Sequence, residues 1–119
     1  MQIQINTDHN IKGHEALAAQ VRGVVESALS HLSDHITRVE VHLSDESSHK
    51  STQNDRRCMM EARLEGRQPI AVTDEGATVV QAVHGAAGKL ARLIESTLGR
   101  QRVERSHRTD PPPPGSVTN

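Results

Sequence analysis

"EGATVVQAVHGAAGKLARL", residues 75–93, decides how the chain is built. Set out at about 100° per residue from Lys89, the residues Val79, Val83, Ala86, Ala87, Leu90, Leu93 and Ile94 gather in an arc centred at roughly 110°, whereas Gln81, Gly85, Gly88 and Arg92 lie between roughly 260° and 320°. The stretch is an amphipathic helix with one apolar stripe to bury. Thr73 or Asp74 can cap its start, and Gly99 is placed to end it just after Leu98. Its two glycines are costly, at about 1 kcal/mol each relative to alanine inside a helix. They lie on the polar side beside Lys89 and Arg92, where bare main chain next to two cations would let a phosphate backbone come close. The residues alone leave a second reading open, in which the glycines are merely tolerated on a solvated face and the cations pair with Glu95.

Ahead of this helix the periodicity alternates between two and 3.6. Residues 2–7, "QIQINT", put Ile3 and Ile5 on one face of a strand. From about Gly13 to Ser33 the residues Leu17, Val21, Val24, Val25, Ala28, Leu29 and Leu32 fall within one helical arc. Strand alternation returns in "ITRVEVHL" (36–43), "CMMEARLE" (58–65) and the short "IAVT" (70–73), with a polar connection before the second and the turn "GRQP" before the third. The order β-α-β-β-β-α predicts an α+β two-layer sandwich, a four-stranded mixed sheet with both helices on one face. Its open face would then show Gln2, Gln4, Arg38, Glu40, His42, Glu61, Arg63 and Glu65, a mixture of signs.

The chain has 119 residues and a net charge of −1, with no Phe, Tyr or Trp at all. One domain is predicted over 1–99, followed by a basic and then proline-rich disordered tail over 100–119. The charge is uneven: residues 100–109 carry four arginines against one glutamate, net +3, whereas residues 1–99 carry 10 basic and 13 acidic residues, net −3. Without aromatic rings, base stacking of the kind that single-strand readers use is excluded, and any nucleic-acid contact must rest on phosphates, backbone N–H groups and shape. The sequence has no apolar run of about 18 residues for a membrane and no secretory leader, which predicts a cytoplasmic protein. The single cysteine, Cys58, is a packing residue. His31 and His35 stand four apart, but no third ligand accompanies them, so no metal site is assigned. No nucleophile elbow and no glycine-rich phosphate loop is present, so no enzymatic activity, cofactor or small-molecule substrate is expected.

The order of elements, the opening "MQIQI", "RVEVHL" and the pattern Ala82, Val83, Lys89, Leu90, Arg92 together resemble the ribosome hibernation-promoting factor and ribosome-associated inhibitor family, also called sigma-factor modulation proteins. The resemblance spans about residues 1–98. It implies a β-α-β-β-β-α sandwich related to double-stranded RNA-binding domains, acting at the small ribosomal subunit in the channel of mRNA and tRNA to silence translation under stress. The chain departs from the family in having Val79 or Val80 where an aromatic is usual, and Ser96 and Leu98 where lysines are. Arg100 and Arg102 restore basic charge just beyond. The expected RNA-binding residues are Lys89, Arg92, Arg100, Arg102 and Gly85, in a protein that is monomeric off the ribosome. The alternative is a protein-interaction module of the same fold that has lost rRNA binding.

Overall fold

The computed structural model describes residues 1–8, 14–45 and 56–109, the last ten as backbone. Its elements are β1 (Gln2–Thr7), α1 (His14–Leu29), a 3₁₀ helix (Ser30–His35), β2 (Ile36–Asp45), β3 (Arg56–Leu64), β4 (Ile70–Gly76) and α2 (Val79–Thr109). The sheet order is β1-β2-β3-β4, with β1 parallel to β2 and the other two pairs antiparallel. This is the expected fold. The α1 crossover makes the parallel pair, and direct connections make the antiparallel ones.

Alternation puts Val39, Val41 and Leu43 of β2 and Cys58, Met60 and Ala62 of β3 on the inner face, each at most 3% exposed. β2 reaches this arrangement through an irregularity: Ile36 pairs with Leu64 but Arg38 pairs with Arg63, leaving Thr37 as an extra residue. Ile36 and Val39, three apart, can therefore both face the core. The Thr37 hydroxyl donates to the Arg63 carbonyl at 3.0 Å. α1 packs on β1 and α2, and α2 lies across β4, β3 and β2. Val21, Val25 and Leu29 of α1 meet Val83, Leu90 and Ile94 of α2 in one buried cluster.

Several boundaries differ from the sequence expectation. α1 stops at Leu29, and the tighter winding of Ser30–His35 keeps Leu32 in the core at 6% exposure. β4 does not stop at Thr73, because its pairing with β3 continues to Arg56↔Gly76. Thr73 and Asp74 are therefore strand residues rather than caps. The cap of α2 is Thr78, whose hydroxyl accepts from the Gln81 N–H at 3.1 Å, while the Gln81 side-chain carbonyl accepts from the Ala77 N–H at 3.2 Å. Thr-x-x-Gln is the sequence form of a capping box, with the glutamine here reaching the N–H of Ala77, one residue before the cap, instead of that of Thr78.

Nor does Gly99 end α2, which continues to Thr109. Residues 100–109 are helical rather than tail, because arginine, glutamine and glutamate are good helix formers that outweigh one glycine. The proline-rich residues 111–114 and residues 46–55 of the polar connection lie outside the described residues.

Cys58 is fully buried, and burial, with a smaller contribution from the Asp74 carboxylate, pushes its thiol from an ordinary 9.0 up to about 12. The unfolded chain ionises first. Stability is thus complete below pH 9.0 and falls as pH rises toward about 12, by up to about 1.4 kcal/mol per pH unit. Urea melts at increasing alkaline pH should show this fall, and Cys58→Ala should remove it.

Candidate nucleic-acid interface

The outer sheet face is an internally paired lattice of charge. Glu40 and Glu61 sit directly opposite each other on β2 and β3, an unfavourable like-charge pair if left alone. Arginines offset them: Glu40 lies 3.1 Å from Arg38 and 4.0 Å from Arg63, and Glu61 lies 3.9 Å from Arg63, while the His42 ring lies 3.6 Å from Glu40. Arg38 also donates to the Gln4 side chain, and Arg57 pairs with Glu75 at 2.9 Å. A polyanion approaching this face would meet carboxylates beside every guanidinium named.

The helix side differs. Lys89 and Arg92 are both exposed on α2, as the helical phase predicts, yet they are held differently. Lys89 reaches back over the edge strand, donating to the Thr73 carbonyl at 3.2 Å and lying 3.4 Å from Asp74 Oδ1. Arg92, by contrast, forms no ion pair among the described residues; its guanidinium lies beside Gly88. Arg100 and Arg102 belong to the part of α2 that follows Ile94, its last buried residue among those described.

The two glycines separate. Gly88 faces a groove of about 630 Å³ between the helices, lined also by Gly23, Ser27 and His84. Gly85 faces β4. A Cβ built on it would fall 2.8 Å from Asp74 Cγ and closer still to Oδ2. The reading of Gly85 as bare main chain open to a phosphate is corrected accordingly: the visitor at that backbone is Asp74. The physical reason is the length of β4, which carries Asp74 into an inward position beneath α2, opposite Cys58.

Asp74 is thus the residue that the sequence reading missed. Continuing the β4 alternation from Ile70 and Val72 by one step would have placed it inward.

Stability does not explain this trio. A mid-helix glycine costs about 1 kcal/mol, and an ion pair as open as Lys89–Asp74, with side chains 47% and 29% exposed, returns at most about 1 kcal/mol. Gly85→Leu should lower stability by about 1–3 kcal/mol through crowding against Asp74. Most of that loss should be recovered in an Asp74→Ala background, as a thermal-melt double-mutant cycle would show.

His31 and His35 lie on the 3₁₀ helix, where three residues per turn leave residues four apart on different faces. His31 Nε2 instead meets Glu95 Oε2 of α2 at 2.6 Å. Among the described residues no three metal-ligating side chains converge. No described helix is long and apolar enough to cross a membrane.

Comparison with known proteins places this arrangement. The family model described as sigma 54 modulation protein / S30EA ribosomal protein matches residues 4–102. The chain belongs to that family. Membership puts it among ribosome-associated modulation proteins, in agreement with the resemblance read from the sequence.

No curated protein matches the chain. Among solved structures, it is similar to the N-terminal domain of Protein Y from Thermus thermophilus, with a TM-score of 0.60 and 22% identity over 82% of this chain and 99% of that one. It is also similar to a ribosomal subunit interface protein from Coxiella burnetii, with a TM-score of 0.64 and 17% identity over 83% and 99% of the two chains. At these identities the likeness concerns the fold.

Proposed function

We propose that this protein regulates translation by occupancy: it binds the small ribosomal subunit in the channel used by mRNA and tRNA, and silences the ribosome while seated there under stress. Lys89, Arg92, Arg100 and Arg102 contact rRNA phosphates, and Gly85 contributes indirectly by seating Asp74. The protein acts in the cytoplasm as a monomer, with no cofactor and no chemical step. The observation that carries this reading is the reach of the family match, whose residues 4–102 take in the helical Arg100 and Arg102. The paired charges of the sheet face support the helix side as the contact surface, because a cation without a local carboxylate, as Arg92 is among the described residues, attracts phosphate most strongly.

The test is cosedimentation with purified small and large subunits. Pelleting with small subunits, reversed by salt and by added mRNA with tRNA, is the expected result. Pelleting with large subunits alone, or indifference to mRNA and tRNA, contradicts it.

The Lys89–Asp74 pair and the net charge of −3 over residues 1–99 favour a second reading, a protein-interaction module that has lost rRNA binding. Salt discriminates between the two. Phosphate-dominated binding weakens steeply as ionic strength rises, and an apolar protein interface does not.

A further inference from the structure

Lys89 and Arg92 are less than one helical turn apart, yet one has a counter-ion and the other has none among the described residues. Three features of the fold create the difference. β4 carries a carboxylate at a position whose neighbours in the alternation, Ile70 and Val72, are apolar and turned inward. α2 carries a glycine where any Cβ would displace that carboxylate. Lys89, one turn beyond Gly85, folds its ammonium back onto Asp74 and the Thr73 carbonyl instead of extending it. Because the pair is half open to solvent, an incoming phosphate can replace Asp74 as the partner of Lys89, but only by competing with a carboxylate already in place.

We infer that Asp74 is a specificity-determining residue: it keeps the charge of Lys89 in reserve, so that loose RNA gains little from it and only a phosphate positioned by the rest of the interface draws it out. This rests on the proposed contact of Lys89 with rRNA. Arg92 supplies attraction at any encounter, and Lys89 adds its share once docking has set a phosphate within reach. The surface thus discriminates between a shaped rRNA site and other polyanions, although both present the same phosphate chemistry.

The experiment compares wild type, Asp74→Asn, Lys89→Gln and the double variant for binding to purified small subunits and to a random-sequence RNA duplex. Asparagine keeps the shape that fills the notch at Gly85, and a thermal melt verifies folding of each variant. Asp74→Asn should tighten duplex binding about fivefold and steepen its log–log salt dependence by about one. Its gain on small subunits should be smaller, so that selectivity falls, and neither gain should appear in the Lys89→Gln background. Unchanged duplex binding in Asp74→Asn, or the same gain without Lys89, overturns the inference. If wild type ignores small subunits while Asp74→Asn still tightens duplex binding through Lys89, ribosome binding fails as a function, and the hold of Asp74 on Lys89 stands.

Discussion

Replacing Lys89, Arg92, Arg100 and Arg102 together by glutamine is expected to abolish pelleting with small ribosomal subunits while leaving the protein folded. Each phosphate contact contributes about 0.9 to the slope of log affinity against log salt, so losing four should flatten that slope by three to four and weaken binding on the order of a hundredfold or more. The fold should survive. Lys89 and Arg92 are exposed, and Arg100 and Arg102 follow Ile94, the last buried residue of α2 among those described. Circular dichroism checks the fold, and sedimentation across a salt series checks the binding. Retained pelleting with an unchanged slope would remove these four residues from the interface.

Leu90→Ala is expected to have the largest effect on stability. Leu90 is fully buried beside Lys89 in the sequence, and no aromatic ring supports the core around it. The surrounding cluster consists of aliphatic and sulfur side chains such as Val41, Met60, Val83 and Ile94. Removing a buried leucine to alanine costs about 2–5 kcal/mol, from lost transfer energy plus the cavity left behind. Against a total of about 5–15 kcal/mol for a domain, that is a large share. Urea denaturation should show a lower midpoint with an unchanged slope. Ribosome binding, measured well below the midpoint, should be retained, which separates the structural stripe of α2 from its charged side.

Element order and the choice of buried face were legible in the sequence, because both depend on local periodicity. Val39, Val41 and Leu43 alternate whatever strand lies beside them, and Val83, Leu90 and Ile94 share a helical phase wherever the helix docks. What local pattern could not settle was decided by partners distant in sequence. Thr73 and Asp74 are residue types that cap helices and also end strands; β3 pairing through to Gly76 kept them in β4. Leu93 falls at the margin of the apolar arc yet is 44% exposed, since the arc that the sheet covers is narrower than the pattern suggests. Gly99 resembles a helix stop, but no left-handed residue follows from glycine alone, and the chain beyond it favours continuation.

Within the candidate site, Lys89 and Arg92 were legible as exposed cations. The seat of Asp74 under Gly85 was not, because it required the length of β4, the register of β3 and the position of α2 to be known together.

The central claim is that α2, and not the open sheet face, meets rRNA, and tethered cleavage tests it most directly. The thiol of Cys58, buried and pushed up to about 12, resists modification at neutral pH, so an iron chelate attached to an added cysteine reports a single place. Leu93→Cys marks α2 and Ala71→Cys marks the sheet face, both at exposed positions. On small subunits the account predicts strong cleavage of rRNA from position 93 and little from position 71. Strong cleavage from position 71 with none from position 93 would contradict it.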